Sequence, residues 1–463
     1  MAGFVRTQVN RAALRSLKKR GSHVPRFLLT KRASIREALL QNPAIAEAVR
    51  EHALENAYTE EASWLRVQQY IDEIVPFFNI LAYYRFGYTV SKWLLNMFYR
   101  VSAEHLSPDA VNKIPRDAIV IYLMNHRSNA DYVLVGYVLT GKVAISYAVG
   151  EWARAFPLEY IFKSFGSYFI RRNYREPLYH TVLEQYVQLI TKNGITQGIF
   201  PEGGLSRDGK LRPAKIGLLD YILSVAKDPA YRERMYIVPV AINYDRVLED
   251  RSLLRELASR EGRARTPVST QLQEVARYVW WNAARLVLRR WKRYGRATVN
   301  IGEPIPLAPW FAEQDSETGG LFNLERRERL ARVQSLADKV MLKIGAIVPV
   351  TPVSLTCAAI QSLDSHFIPR EKLLKRMAEM RDVLRSLNAS VIRAEGEIVQ
   401  TLDLAMKMLR MRRMAFESGT GIAVSEDNRA LVSYYANSIA HLLGPFEAGV
   451  RERDALPADT FAF

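Results

Sequence analysis

Between residues 118 and 245 four apolar runs end abruptly in polar clusters. Residues 118–123 are β-branched and apolar without a polar break, which predicts a buried strand. The run meets Asn125, Ser128 and Asn129, residue types that favour turns and helix caps, and apolar character resumes at residues 132–135. Residues 166–172 read as a short aromatic strand ending in two arginines, and residues 194–200 as a strand entering a turn. Residues 236–245 form another apolar strand with Pro239 inside it. Strands that alternate with apolar helical stretches imply an α/β core.

The flanks have a different rhythm. Residues 34–69 look helical. Residues 74–99 are the most lipophilic aromatic region ahead of the strands, interrupted by Arg85 and Lys92 and opened by Pro76. A clean membrane span needs about 20 apolar residues, so this stretch predicts an interfacial helix or a re-entrant helical pair. A buried core helix is the plainer alternative. From 270 to 294 a helical pattern interleaves Trp280, Trp281 and Trp291 with Arg277, Arg285, Arg289, Arg290 and Arg293. That mixture suits a lipid headgroup layer, a nucleic acid or an amphipathic helix packed on the sheet. Beyond Trp310 a polar loop at 315–320 precedes helical patterning at 324–347 and 371–409. The expected organisation is a basic, helical region over 1–100, an α/β domain over 101–310 and a helical region over 311–463.

Composition narrows the classes. The 463 residues are enough for two or three domains, and 49% hydrophobic with 24% charged content is globular. A single cysteine, Cys357, excludes an intramolecular disulfide framework and fits a reducing compartment. The formal charge of +17 calls for an anionic partner, either nucleic acid or an anionic membrane. Residues 1–36 carry Lys and Arg but no Asp or Glu, as expected of a headgroup-binding arm or a transit peptide.

The candidate chemistry lies at the strand ends. His126 follows the first strand and Asp131 begins the next element. Across a turn of that length a carboxylate can reach an imidazole, fix its tautomer and leave the other nitrogen to take a proton. Alone, the pair reads more readily as a loop histidine beside a capping aspartate. Gly203-Gly204, after Phe200-Pro201-Glu202, allows positive φ and close approach of backbone N–H groups to an anion. Ser206, Arg207 and Lys210 follow, and an arginine fork suits phosphate. Arg127 in the first motif adds a cation, and so do Arg171-Arg172, which also read as the solvated basic end of a strand. Residues 136–143 have P-loop spacing, but Val143 stands where a hydroxyl would bind magnesium. Residues 204–208 approach a nucleophile elbow without its last glycine, and no Cys/His cluster has metal-ligand spacing.

In order, these motifs resemble the glycerolipid acyltransferase superfamily: HX4D at His126 and Asp131, FIRR at 169–172, FPEGG at 200–204 and VPVAINYD at 238–245. The likeness covers roughly residues 100–310, with Asn300-Ile301-Gly302-Glu303-Pro304-Ile305 resembling the terminal core strand. It leans to the glycerol-3-phosphate and dihydroxyacetone-phosphate acyltransferases. It implies a mixed-sheet α/β core with helical N- and C-terminal regions, acting at the cytoplasmic face of an anionic membrane. It further implies transfer from acyl-CoA or acyl carrier protein to the sn-1 hydroxyl of glycerol 3-phosphate, with no metal and no cofactor beyond the donor. His126 is then the base and Asp131 its orienter. Arg127, Arg171, Arg172, Glu202, Gly203, Gly204, Ser206, Arg207 and Lys210 are then the acceptor-binding set. Dihydroxyacetone phosphate and 1-acylglycerol 3-phosphate are alternative acceptors. A non-catalytic membrane- or nucleic-acid-binding protein is the reading from another class. One departure stands out: Leu205 occupies the position after EGG where the family usually has arginine.

Overall fold

The computed structural model describes residues 32–79, 87–139, 144–154, 158–172, 174–260, 294–392 and 397–443. Most of the basic arm, the centre of the lipophilic stretch, the end of the P-loop-like run and nearly all of the Trp/Arg pattern at 270–294 lie outside these residues.

An eight-stranded mixed sheet forms the core. Its strands are β1 (Arg100–His105), β2 (Ile119–Met124), β3 (Ser146–Gly150), β4 (Tyr168–Ile170), β5 (Gln197–Ile199), β6 (Met235–Tyr244), β7 (Arg296–Ile301) and β8 (Ile305–Pro306). The order is β1-β7-β6-β2-β5-β3-β4, with β8 also beside β6. Strands β6, β2, β5, β3 and β4 run parallel. β7 is antiparallel to β6, and β1 is parallel to β7. The four apolar runs of the sequence are thus β2, β4, β5 and β6, and their carboxyl ends open on one edge of the sheet, where ligands of open α/β folds bind.

The two-residue period sorts the core into layers. In β2, Ile119, Ile121 and Leu123 enter one apolar cluster and Tyr122 and Met124 the other. The first layer is closed by helix Pro177–Lys192, by the N-terminal helices Pro43–Asn56 and Glu60–Ile74, and by helix Arg326–Ala346. The second holds helix Asp131–Leu139 together with the C-terminal helices Pro352–Leu363 and Arg429–Asn437. Burying each such large side chain contributes about 1.5–3 kcal/mol, so β2, apolar on both faces, is held in the middle of the sheet.

Pro239 sits inside a central strand, which a missing N–H ordinarily forbids. Its carbonyl accepts from Gly302 N at 2.9 Å on the side facing β7. On that side β8 pairs only as far as Ile237 and β7 begins at Val240. The missing donor therefore falls in the gap between two partners, while the opposite edge pairs without interruption with Leu123 of β2.

The C-terminal region is not purely helical. Between its helices Phe367–Pro369, Ala415–Ser418 and Gly421–Val424 form a small antiparallel sheet. Strands of three or four residues are too short for periodicity to reveal.

Candidate active site

The loop after β2 is built around one carboxylate. Asp131 starts its helix fully buried. Its Oδ2 accepts from His126 Nδ1 at 2.9 Å, Arg127 N at 2.7 Å and Ser128 N at 3.0 Å, and its Oδ1 accepts from Tyr244 OH at 2.6 Å. An ionised carboxylate only accepts, so Nδ1 of His126 carries the proton and Nε2 keeps its lone pair. No hydrogen bond engages Nε2 among the described residues. Asn125 pins the start of the loop to β6, accepting from Ile242 N at 2.7 Å and donating to Ile242 O at 3.0 Å. The imidazole stacks on Phe200, ring centroids 4.0 Å apart, with Tyr132 edge-on at 5.5 Å.

Burial pushes the His126 pKa down. Asp131 opposes that shift, and the positive charge of Arg172 adds to it. The result is a neutral imidazole held in one tautomer, the form a general base requires.

The loop after β5 is laced to it. His126 N donates to Glu202 Oε1 at 3.0 Å, and Ser206 N donates to His126 O at 3.1 Å. Burial pushes the Glu202 carboxyl up to about 7, against the pull of the Arg127 charge and the His126 N–H. Its Oε2 has no hydrogen-bond partner among the described residues. Glu249, after β6, braces the other side by accepting from Ser128 Oγ at 2.7 Å and Asn129 N at 3.2 Å, and burial raises it too, to about 7.

Three glycines make room for two cations. A Cβ on Gly203, whose φ is +67°, would meet Lys215 Cδ at 2.7 Å. A Cβ on Gly204 would stand 3.5 Å from Arg172 Nη1, and one on Gly150 would stand 2.8 Å from Arg172 Nε. Lys215 is drawn to this place by its N–H, which donates to Pro201 O at 2.7 Å. Burial, Arg212 and Arg172 together lower the Lys215 pKa. The charge and backbone N–H of Arg212 in turn act on Glu202, while no side-chain ion pair ties Arg172, Arg212 or Lys215 to a carboxylate among the described residues.

The structure thus brings His126, Asp131, Arg172, Glu202, Gly203 and Gly204 together. Other expected acceptor ligands are occupied elsewhere. Arg127 is almost wholly buried and donates to the carbonyls of Gly209 and Ser438, so it ties the β5 loop to the C-terminal region instead of facing a ligand. Arg171 is gripped by Glu73 through Nε at 2.9 Å and Nη2 at 2.7 Å. Arg207 pairs with Glu256 at 2.7 Å. Ser206 Oγ donates to the Lys210 carbonyl at 2.6 Å and so closes its own turn. The Lys210 side chain is exposed, with its backbone N–H on Asp208 Oδ1 at 3.0 Å. Leu205 packs against the core. Arg212 and Lys215, which sequence reasoning missed, supply cations beside Arg172, and their only sequence signal was a continued basic run past Lys210. No His, Cys, Asp or Glu group suited to a metal is found among the described residues.

Residues 109–243 match a family model described as Acyltransferase, and residues 281–445 match one described as Glycerol-3-phosphate acyltransferase C-terminal region. A glycerol-3-phosphate acyltransferase of Aeromonas hydrophila is 29% identical over 415 residues, covering 87% of this chain and 49% of that protein. One of Actinobacillus succinogenes is 28% identical over 425 residues, covering 90% and 50%. The chain spans about half the length of the curated relatives it matches. A crystal structure of a 1-acyl-sn-glycerophosphate acyltransferase of Thermotoga maritima aligns at 19% identity over 57% of this chain and 78% of that one, with a TM-score of 0.30.

Proposed function

We propose that this chain, which belongs to the glycerolipid acyltransferase superfamily, is a glycerol-3-phosphate 1-O-acyltransferase. The observation that carries the reading is the neutral His126, oriented by Asp131 with Nε2 unengaged, next to the cations Arg172, Arg212 and Lys215, which form no side-chain ion pair among the described residues. The acceptor's phosphate rests on those cations, and the buried Glu202 holds the β2 loop in place through the His126 N–H. His126 Nε2 removes the proton of the sn-1 hydroxyl as its oxygen attacks the thioester carbonyl of acyl-CoA or acyl carrier protein. The tetrahedral intermediate expels the thiolate, which takes the proton back from the imidazolium. Asp131 stabilises the transient imidazolium. The step closes on the chain's own residues and two substrates, with no acyl-enzyme and no added cofactor.

The proposed setting is the cytoplasmic face of an anionic membrane. The net charge of +17 and the exposed Trp93 and Tyr160 support it, since aromatic rings and cations together suit a headgroup layer. No helix among the described residues is long and apolar enough to cross a membrane.

The test is an assay of the purified protein with acyl-CoA and, separately, glycerol 3-phosphate, dihydroxyacetone phosphate and 1-acylglycerol 3-phosphate. The expected result is transfer to glycerol 3-phosphate above the other two, lowered about a hundred-fold or more in His126→Ala. No transfer to any acceptor, or undiminished transfer in His126→Ala, overturns the reading.

A further inference from the structure

The N-terminal helix Glu60–Ile74 lies before both family-matched segments, yet its last turn reaches the end of β4. Glu73 is nearly buried there. Its Oε1 accepts from Arg171 Nε at 2.9 Å, and its Oε2 accepts from Arg171 Nη2 at 2.7 Å and meets Arg154 Nη2 at 3.1 Å. This is the paired fork in which arginine and carboxylate bind most strongly. The Arg171 guanidinium also faces the rings of Tyr174, Tyr70 and Tyr179 at 4.7, 5.3 and 5.7 Å. Its backbone N–H donates to Tyr179 OH at 2.8 Å. Burial would raise the Glu73 pKa, but the hydrogen bonds and charges of Arg171 and Arg154 prevail and lower it. The Nε and Nη2 edge of Arg171 is therefore committed to Glu73. Arg172, the next residue, has no carboxylate partner among the described residues and lies over Gly150 and beside Gly204.

We propose that Glu73 is a positioning residue for acceptor binding: by clamping Arg171 and holding Arg154 on the same carboxylate, it anchors the end of β4 so that Arg172 alone of the three arginines faces the acceptor's phosphate. This rests on the acyl-transfer reading for its substrate, glycerol 3-phosphate. The clamp does two things at once. It fixes the backbone from which Arg172 projects, and it ties down two neighbouring guanidinium groups that would otherwise be free to meet the anion in unproductive positions.

Glycerol 3-phosphate binding, measured by calorimetry on the whole chain, tests this without needing turnover. Glu73→Gln is expected to weaken affinity about ten-fold, the scale of one lost charge-assisted contact. In the transfer assay, KM for glycerol 3-phosphate rises similarly while kcat stays within about two-fold. Arg171→Met is expected to do the same, and the double variant to be no worse than either single one, since both break one contact. Losses that multiply in the double variant would make Arg171 a direct ligand and overturn the proposal. So would unchanged affinity in Glu73→Gln, or a fall in kcat with KM fixed. If Glu73→Gln does not fold, Tyr179→Phe loosens the same clamp at the Arg171 N–H, and unchanged affinity there overturns the proposal as well. Wild type that binds glycerol 3-phosphate without transferring an acyl group refutes the function reading while the affinity comparison still decides the role of Glu73. Wild type that does not bind it refutes both.

Discussion

The loops after β2 and β5 meet at the same sheet edge but are made in opposite ways. In the first, nearly every polar group is satisfied internally: one carboxylate takes four hydrogen bonds, and Asn125 and Glu249 brace the rest. In the second, glycines hold space open, the Glu202 Oε2 is unpaired, and Arg172, Arg212 and Lys215 gather without a side-chain ion pair among the described residues. The contrast separates two tasks. A base must have one tautomer and one orientation before substrate arrives, so its surroundings are complete. A phosphate cradle must be incomplete until its anion arrives, since cations already paired with carboxylates would have to be released first.

The largest expected effect lies in the completed loop. His126→Ala should lower kcat by about 10²–10⁴-fold, the range of general-base contributions, with acceptor affinity by calorimetry nearly unchanged. An equal collapse of affinity would break the division between the loops. Asp131→Asn comes next. The amide keeps one acceptor oxygen but loses the negative charge that stabilises the imidazolium, so kcat should fall about 10²–10³-fold. The cost in stability should also be measurable as a lower melting temperature, because a neutral amide accepts less strongly from the Arg127 and Ser128 N–H groups.

The same contrast explains what was legible in the sequence. His126 and Asp131 were legible because their contact is local, five residues across one turn. The four apolar runs were legible because strands buried on both faces read as unbroken apolar sequence. The cradle was not, because its members meet only through tertiary structure: Lys215 is folded back by its bond to Pro201, and Arg172 is directed by the clamp on Arg171 from a helix 98 residues earlier. Arg127 and Arg207 misled for a related reason. Adjacency to a motif says a cation is near the site, not which way it points. Arg127 faces the C-terminal region, whose carbonyl at Ser438 lies 311 residues away. Leu205 was conspicuous in sequence as a missing cation. In the structure it packs on the core, and cations from farther along the loop stand nearby.

In the open loop, Arg172→Gln should raise the KM for glycerol 3-phosphate about 10- to 100-fold, the equivalent of one charge-assisted contact of about 1.5–3 kcal/mol, with kcat within a few-fold. A kcat loss with unchanged KM would assign Arg172 to the reacting carbonyl instead. Gly203 and Gly204 form an internal control. Gly203→Ala forces a positive φ on alanine and drives its Cβ toward the Lys215 stem, so KM should rise about ten-fold. Gly204→Ala adds a Cβ at ordinary contact distance from Arg172 and should change KM by about two-fold or less. Equal effects at the two positions would mean that the glycines serve only the turn.

The smallest expected effect couples the two loops. Burial sets the His126 pKa low, and the Arg172 charge lowers it further. Imidazolium is the charged form, so a neighbouring cation disfavours it, and removing that cation must raise the pKa. In Arg172→Gln, the His126 titration should therefore move to higher pH but stay below an ordinary imidazole, because burial remains. Arg172→Lys, which keeps the charge, should leave it near the wild-type position. The measurement is NMR of labelled histidine in the ligand-free protein, with the His126 signal identified among the seven histidines by its loss in His126→Ala. Titration in the absence of glycerol 3-phosphate avoids the acceptor's own ionisation. An unmoved titration in Arg172→Gln would mean that the cradle's charge does not reach the base, and that the low pKa of His126 belongs to the first loop alone.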